Sequence, residues 1–410
     1  MKILLKGIKS LYQGDQKGGK ERATPGWKGP VIFLAGLFFL NFMARITFAP
    51  LMPEIERDLG IGHGEAGFLF LMISAGYFVT VLCSGFLSSR ITHRLTIVTS
   101  SVAAGVVLLL VSLSHGAGSL AAGLFALGMA AGFYLPSGIA TITDLAAKEN
   151  WGKALAIHEM APNLSFVAAP LLSEALMRVF PWRGVVAILG ALSVLIGAGY
   201  YSFGRGGKFP GQVPNIEACG TLVKERDFWI MILLFGMGIS GTLGVYTMLP
   251  LYLVTDHGME RDMANTLLAV SRVSGMVMAF VGGWATDRFG PRLTLIWVLV
   301  TTGILTILLG IASKALVPVI VFVQPMMAVC FFPAGFAAVS SIGPANMRNV
   351  AVSLTVPAAF VVGGGLIPTG VGFLGDVGRF GLGVSLVGVM ILAVSLIAFF
   401  LDLGGKRKGF

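Results

Sequence analysis

The sequence is short of charged residues. Only 12% of its 410 residues are Asp, Glu, Lys or Arg, whereas 56% are hydrophobic and the mean hydropathy is +0.87. A soluble domain carries about 25% charged residues. Half that fraction excludes an ordinary soluble protein and indicates a protein embedded in a lipid bilayer.

Cysteine and enzyme motifs are also scarce. The three cysteines, Cys83, Cys219 and Cys330, have neither metal-ligand nor disulfide-framework spacing. The segment 14–20 fits G-x-x-x-x-G-K, but Glu21 follows where a magnesium-binding Ser or Thr is required. No HExxH, CxxC or nucleophile elbow occurs. We therefore expect no enzyme activity, no metal and no cofactor.

Long hydrophobic runs are abundant instead. A helix needs about 20 apolar residues to cross a bilayer, and twelve such runs are present, at 31–52, 66–88, 96–114, 118–141, 153–176, 184–203, 229–253, 263–286, 293–313, 318–341, 351–374 and 381–401. The sequence therefore predicts an all-α integral membrane protein with twelve transmembrane helices. The start of the chain lacks a signal-peptide core, so the first helix should also direct insertion.

The positive charges are distributed unevenly between the loops. If the N-terminus is cytoplasmic, 21 of the 29 Lys and Arg residues fall in inner segments and 6 in outer segments, and Arg45 and Arg272 lie inside spans. This bias predicts a multi-pass protein of the inner (plasma) membrane with both termini cytoplasmic. The net charge of +10 then reflects topology and attraction to anionic lipids, so we expect no nucleic-acid partner.

The chain divides into two similar halves. A polar linker at 204–228 separates six hydrophobic runs (31–203) from six others (229–401), and basic tails occupy 1–30 and 402–410. Each half has a basic turn after its second run, GFLSSRITHR from Gly85 and GWATDRFGPR from Gly283, at an offset of 198 residues. Repeated halves of this kind are typical of transporters whose substrate site lies between them near the midplane.

The second of these turns resembles the G-x-L-A-D-R-x-G-R-R signature of the major facilitator superfamily. The matching residues are Gly283, Asp287, Arg288, Gly290 and Arg292, and the first-half copy keeps Arg90 and Arg94 but has Ser89 in place of the aspartate. The resemblance implies two pseudo-symmetric six-helix halves that alternate access. It also implies that the turn, including Arg90, stabilises one gate state through charge pairs, with the second-half copy carrying more of that role.

A shorter segment points to a branch of the same superfamily. Asn41-Phe-Met-Ala-Arg45-Ile-Thr47 is similar to the N-Y-x-D-R-x-N segment of the anion:cation symporters at Asn41 and Arg45. Ala44 replaces the aspartate of that pattern. The resemblance implies an organic-anion substrate.

Arg45 and Arg272 are the residues that point most directly to function. An arginine at the centre of a bilayer costs about 2.5–3.5 kcal/mol on insertion scales, so it indicates a functional site. Both lie about 10–14 Å below the outer surface at a rise of 1.5 Å per residue, with no carboxylate at the same depth. Since a guanidinium binds carboxylate bidentately, we expect the pair to clamp a small anion, assisted by Asn41, Tyr134 and Tyr246.

Two alternatives remain open at this point. Each arginine could be satisfied by backbone carbonyls or nearby polar groups, with Asn41 as the obvious partner of Arg45 and Ser271 as a candidate for Arg272. A second titratable site, His158-Glu159 in the fifth span, could carry a coupling proton, because a buried glutamate binds its proton more tightly. Alternatively, the His158-Glu159 pair could make a static bond to Lys153 or a gate contact at the inner end of the fifth span.

These features predict a secondary active transporter that moves a small organic anion of the carboxylate type by alternating access, with an exporter of amphipathic compounds or drugs as the alternative. Import of an anion needs a coupling ion, H⁺ or Na⁺, or exchange for another anion. A sensor that binds an anion without moving it is a third class, but no signalling domain accompanies the twelve spans. The expected partners are a small anion and the lipid bilayer, and we expect a monomer.

Overall fold

The computed structural model describes residues 26–213, 220–342 and 348–401, apart from the side chains of residues 276, 348 and 349. Most of the predicted tail at 1–30, the centre of the linker 204–228 and the tail at 402–410 lie outside these ranges. Cys219 and the segment 14–20 lie outside them as well.

Twelve helices in the described ranges are long and apolar enough to cross a membrane. They are α1 Lys28–Leu59, α2 His63–Ile91, α3 His93–Val111, α4 Ala117–Leu145, α5 Lys148–Met177, α6 Trp182–Phe203, α7 Arg226–Thr255, α8 Arg261–Phe289, α9 Pro291–Ile311, α10 Val317–Val339, α11 Val350–Asp376 and α12 Phe380–Phe400. The prediction of an all-α protein with twelve membrane-spanning helices is confirmed.

The largest difference from the predicted boundaries is at the end of α1. The hydrophobic run ends at Met52, but the helix continues to Leu59 and stops at Gly60, which has φ 64° and forms a left-handed cap. These extra two turns bury Ile55 and leave Arg57 exposed. The helix continues past the apolar run because its charged last turns pack against other parts of the protein.

The helices of each half pack against one another. The main contacts are α1–α5, α2–α4 and α3–α6 in the first half, and α7–α11, α8–α10 and α9–α12 in the second. The halves meet through α1–α7, α2–α11 and α5–α8. Because α2 corresponds to α8 and α5 to α11, the last two contacts are equivalent across the pseudo-twofold axis, as expected for repeated halves.

We call the side where α1 begins the near face and the side where α1 ends the far face. The halves approach most closely toward the far face, along α2 and α11. A Cβ atom at Gly67 would lie 2.4 Å from the carbonyl oxygen of Pro368. Only glycine permits this backbone-to-backbone approach, so the two halves are packed tightly there.

Two helices of the second half contain a π turn. Ser240–Gly244 interrupts α7 and Val362–Leu366 interrupts α11, and the two π turns pack against each other. A Cβ at Gly244 would lie 2.4 Å from the carbonyl oxygen of Gly363. Single π turns inside α-helices are frequent at functional sites. The π turn of α7 lies beside Arg272, one of the two intramembrane arginines.

Candidate functional site

Arg45 lies in the interior of the first half, against two aromatic rings. Its residue is 8% exposed, and its guanidinium carbon lies 4.8 Å from the ring centre of Phe42 and 4.6 Å from that of Tyr77. Phe42 is one turn earlier on α1, and Tyr77 comes from α2. A cation over an aromatic face is stabilised by about 2 kcal/mol when both are desolvated, so these rings offset part of the cost of burial.

Arg272 on α8 has an equivalent aromatic setting in the second half. Its guanidinium carbon lies 4.8 Å from the ring centres of both Phe166 and Tyr246. Its Nη2 also donates a hydrogen bond of 2.8 Å to the carbonyl oxygen of Thr242, inside the π turn of α7. Arg272 is therefore partly anchored by the protein, whereas Arg45 is held by packing and by cation–π contact.

The two arginines are joined by a continuous row of rings. Phe42 packs edge-to-face on Phe166 with ring centres 5.3 Å apart, so the row runs Tyr77, Arg45, Phe42, Phe166, Arg272, Tyr246. The path from one guanidinium carbon to the other passes through the ring centres of Phe42 and Phe166, over distances of 4.8, 5.3 and 4.8 Å. The two guanidinium groups cannot be farther apart than this path. Since Phe166 belongs to the first half and Arg272 to the second, the row crosses the interface between the halves.

Neither arginine has a full set of acceptors within the described residues. The Nε atom of each is buried without a hydrogen-bond partner there, and Arg45 makes no hydrogen bond or ion pair with any of them. Of the predicted alternatives, one is realised in part, since Arg272 donates to the backbone carbonyl of Thr242, whereas Asn41 and Ser271 make their hydrogen bonds elsewhere. Asn41 donates to the Ala131 carbonyl at 3.2 Å and to Ser100 at 3.4 Å, and the Ser271 hydroxyl donates to Leu268. The arrangement leaves N–H groups in the interior that could donate hydrogen bonds to an anion.

Tyr246 and Tyr134, the two predicted tyrosines, have different positions. Tyr246 flanks Arg272, and its hydroxyl donates to the carbonyl oxygen of Phe166 at 3.4 Å. Tyr134 lies in a stack with Phe38 and His158, which meets the row where Phe38 packs edge-to-face on Phe42 with ring centres 6.3 Å apart. Its hydroxyl donates to the carbonyl oxygen of Leu34 at 2.6 Å. The structure therefore brings Tyr246 to the arginine row. It places Tyr134 in the stack with Phe38 and His158, and it places Asn41 in hydrogen bonds to α3 and α4.

The His158-Glu159 pair differs from the burial assumed for it. His158 is fully buried, but the Glu159 side chain is 56% exposed, so the protein does not bury the carboxylate as was expected. Its Oε1 lies 3.2 Å from Nδ1 of His158.

A charged cluster toward the far face was not predicted from the sequence. Arg261 of α8 donates to Glu54 of α1 at 2.9 Å and to both oxygens of Glu174 of α5 at 3.1 and 3.2 Å, and Asn265 donates to Glu174 at 3.1 Å. Charge-assisted bidentate contacts of this kind are strong and directional. The cluster holds the far ends of the two halves together.

A second polar contact also joins the two halves at the far face. Asp376 at the end of α11 accepts hydrogen bonds from the backbone N–H groups of His63 at 2.7 Å and Gly64 at 3.0 Å, the first residues of α2. A carboxylate at a helix N-terminus is favourable because it meets unpaired N–H groups and the positive end of the helix dipole. One half therefore caps a helix of the other.

The repeated basic turns have closely similar structures at the near face. Thr92 has φ 88° and ψ 155°, and Gly290, 198 residues later, has φ 83° and ψ 157°. Arg94 donates to the carbonyl of Tyr201 at the end of α6, and Arg292 donates to the carbonyl of Phe399 at the end of α12. These last arginines of each turn therefore cap helix ends of their own half. The gating role of Gly283, Asp287, Arg288 and Arg90 stays a prediction.

The linker begins by packing on the first-half turn. The backbone N–H of His93 donates to the carbonyl of Phe209 at 3.1 Å, and that of Arg94 donates to the carbonyl of Gly207 at 2.7 Å.

Within the part of the chain that the structure describes, no group of three or more His, Cys, Asp or Glu is placed to hold a metal ion.

Sequence reasoning could have found some of the missed residues. Phe42 precedes Arg45 by three residues, and residues three apart share a helix face, so its contact was available from spacing. Phe166 and the partners of Arg261 come from helices distant in the sequence, and no local pattern links them. Long-range packing alone brings them together.

The sequence matches a model of the Major Facilitator Superfamily over residues 34–368. The chain is 22% identical over 321 residues to the multidrug resistance protein MdtL of Klebsiella pneumoniae (strain 342), a match that covers 77% of this chain and 81% of that protein. It is also 22% identical over 274 residues to a probable L-galactonate transporter of Escherichia coli (strain K12), covering 61% of this chain and 60% of that protein.

Solved structures share the fold at low sequence identity. A bacterial homologue of the human lysosomal transporter Spinster, solved in an inward-facing conformation, superposes with a TM-score of 0.79 at 14% identity, covering 92% of this chain and 97% of that one. A POT family transporter in complex with 5-aminolevulinic acid superposes with a TM-score of 0.75 at 15% identity, covering 97% and 100%. These identities establish likeness of fold.

Proposed function

The chain belongs to the major facilitator superfamily, and from that membership we propose that it is a secondary active transporter of a small organic anion of the carboxylate type. The two halves would alternate access to a site between them by rocking about the row of rings and arginines. The chain is a multi-pass membrane protein, and its family consists of transporters.

The observation that carries this proposal is the pair of incompletely paired guanidinium groups. Burying a charge is costly unless it is paired, yet Arg45 has no acceptor among the described residues, and Arg272 has one carbonyl, of Thr242. A carboxylate supplies two oxygens in one plane and matches the N–H fork of arginine. The aromatic rings that flank each guanidinium supply apolar surface for the body of an organic anion.

The charge of such a substrate requires a source of energy for uptake. Bringing one negative charge in against 100 mV, inside negative, costs about 2.3 kcal/mol. We therefore propose coupling to H⁺ or Na⁺, or exchange for a second anion. The bias of Lys and Arg residues supports a cytoplasmic near face, a position in the inner (plasma) membrane and contact with its anionic lipids. We propose that the protein works as a monomer.

The second candidate is export of amphipathic compounds. The likeness to MdtL, whose name describes multidrug resistance, and the aromatic lining of the row favour it. Two guanidinium groups would repel cationic drugs, however, so this candidate best fits neutral or acidic amphipathic compounds. The likeness to a probable L-galactonate transporter favours the carboxylate.

Transport into proteoliposomes separates the candidates. We expect uptake of one or more members of a panel of L-galactonate, monocarboxylates, dicarboxylates and organophosphates, and no transport of the amphipathic cation ethidium. Arg45→Gln and Arg272→Gln should each lower uptake by roughly 100-fold, because loss of one partner of a buried charge pair costs 2–5 kcal/mol.

Lys208→Gln serves as the control, since it also removes one positive charge, but the Lys208 side chain is exposed and has no hydrogen bond or ion pair among the described residues. It should transport as the unchanged protein does. Full uptake of an organic anion by both intramembrane variants would defeat the anion proposal and leave the fold untouched. Transport of ethidium with no transport of anions would favour the exporter.

A further inference from the structure

Three polar side chains in the first half form a chain of hydrogen bonds. The Tyr134 hydroxyl lies 2.6 Å from the carbonyl oxygen of Leu34 and 3.2 Å from Nε2 of His158, and Nδ1 of His158 lies 3.2 Å from Oε1 of Glu159. His158 is fully buried and stacks on Phe38, with ring centres 4.4 Å apart. Its two ring nitrogens therefore have fixed partners.

The positions of the protons in this chain follow from which atoms can donate. A carbonyl oxygen only accepts, and a tyrosine hydroxyl has one proton. The Tyr134 proton must therefore point to Leu34, because two acceptors 2.6 Å apart would repel. Tyr134 must then accept from His158, so Nε2 of His158 carries a hydrogen.

With Nε2 already protonated, the contact between Nδ1 and Glu159 needs one more proton. That proton lies on Nδ1, giving an imidazolium beside a carboxylate, or on Oε1, giving a neutral imidazole beside a carboxylic acid. Without it, the lone pair of Nδ1 would face a carboxylate oxygen. We propose that His158 and Glu159 together bind one exchangeable proton, and that Tyr134 is the positioning residue that fixes His158 as the Nε2–H tautomer.

The surroundings fit a site that takes up and releases a proton. The Glu159 side chain is 56% exposed, so the protein does not enclose the proton at that end, while the buried imidazole holds the other end of the bond. When the proton leaves, the pair changes from neutral to a charge of −1. The titratable groups that face the pair from the helices packed around α5 are Tyr134 on α4 and Tyr77 on α2, and the nearest charged groups beyond them are Arg45 on α1, which lies over the Tyr77 ring, and Arg272 on α8, which lies over Phe166.

This inference rests on the proposed function only where the proton is taken as the coupling ion. A proton bound in the same half as Arg45 would offset the charge of an incoming anion. The binding of the proton itself can be measured without any anion, so the two proposals fail separately.

The test is nitrogen NMR of the full chain, labelled with ¹⁵N-histidine and held in lipid nanodiscs without added anion. Of the five histidines, His158 is assigned as the signal missing from His158→Gln. In the unchanged protein we expect a titration of this signal that ends, at alkaline pH, in the Nε2–H tautomer.

Tyr134→Phe keeps the stacked ring and removes the acceptor of Nε2–H. The imidazole can then move its hydrogen to Nδ1 and donate to the Glu159 carboxylate without an extra proton. We expect the Nδ1–H tautomer at alkaline pH and a midpoint lower by about one pH unit, the tenfold change that one hydrogen bond is worth. Glu159→Gln should also lower the midpoint, because the negative partner is lost.

Tyr252→Phe is the matched control. Tyr252 likewise donates to a backbone carbonyl, that of Leu309 at 2.9 Å, and packs against a histidine, but in the second half. It should leave the His158 signal unchanged. An Nδ1–H tautomer in the unchanged protein, or the same tautomer and midpoint in Tyr134→Phe, would overturn the proposal whatever the outcome of anion uptake.

Discussion

The two halves of the molecule use the same pair of helices for their intramembrane arginine, but exchange the residues. In the first half the arginine is on α1 and the tyrosine on α2, and in the second half the tyrosine is on α7 and the arginine on α8. Tyr246 follows Arg45 by 201 residues, and Arg272 follows Tyr77 by 195. Both separations lie within one helical turn of the 198-residue offset of the repeat.

The exchange shows that the repeat preserves an arginine–tyrosine contact rather than the position of either residue. The environments nevertheless differ. Arg272 donates to the Thr242 carbonyl in a π turn, whereas α1 offers Arg45 no acceptor among the described residues. The second-half guanidinium is thus positioned partly by the protein, and the first-half guanidinium depends more on a visiting anion.

The largest expected difference between the halves is in the stability of the protein without substrate. Arg45→Gln removes a charge whose insertion costs about 2.5–3.5 kcal/mol and loses cation–π contacts worth about 2 kcal/mol. It should raise the free energy of unfolding by about 1 kcal/mol. Arg272→Gln also loses a charged hydrogen bond worth about 1.5–3 kcal/mol, so it should lower that free energy by about 1 kcal/mol.

Thermal unfolding in detergent without anion measures this difference as the order of the two Tm values. Arg45→Gln should unfold at a higher temperature than Arg272→Gln, with the exposed control variant Lys208→Gln unchanged between them. A lower Tm for Arg45→Gln than for Arg272→Gln would mean that the protein, and not a ligand, satisfies Arg45.

The basic turns give the second comparison, because they share a backbone conformation but not a residue. A φ near 85° with ψ near 155° lies in a region that essentially only glycine occupies, and another residue there costs about 1–3 kcal/mol. A Cβ atom added at Gly290 would meet no atom of the described residues within 4 Å, so strain is the only penalty at this position. Gly290→Thr should therefore destabilise the second half by about 1–3 kcal/mol.

The reverse change at Thr92 should have a smaller effect of opposite sign. Thr92→Gly relieves the strain, but glycine costs about 0.5–1 kcal/mol in chain entropy, and the cap from the Thr92 hydroxyl to Leu95 is lost. The net gain should be below about 1 kcal/mol, read as a rise in Tm. Stabilisation by Gly290→Thr, or a loss of stability in Thr92→Gly, would contradict the equivalence of the two turns.

The fold and the arginine pair could be predicted from the sequence for physical reasons. Twelve spans follow from apolar run length, because the bilayer sets the length of a helix. Arg45 and Arg272 stand out because charge is costly at that depth. The extension of α1 to Leu59 was missed because its last turns carry Glu54 and Arg57, and a polar segment resembles a loop when its partner Arg261 is unknown.

The contacts within the site could not be predicted in the same way. The edge-to-face packing of Phe42 on Phe166 and the bidentate contact between Arg261 and Glu174 join helices far apart in the sequence. The hydrogen bond from Arg272 to Thr242 depends on the π turn, which no local pattern announces. The exposure of Glu159 likewise follows from the packing of α5 against its neighbours.

The smallest effects are expected where the halves agree most closely. Arg94 and Arg292 each donate to the carbonyl 107 residues later, at the end of the last helix of their half. A cation at a helix C-terminus is worth about 0.3–1 kcal/mol, so Arg94→Gln and Arg292→Gln should lower the Tm by similar, small amounts. Lys208→Gln, at an exposed residue of the same face, is the control and should leave the Tm unchanged. A markedly larger loss at one of the two caps would show that this turn holds more than its own half together, as a gate would.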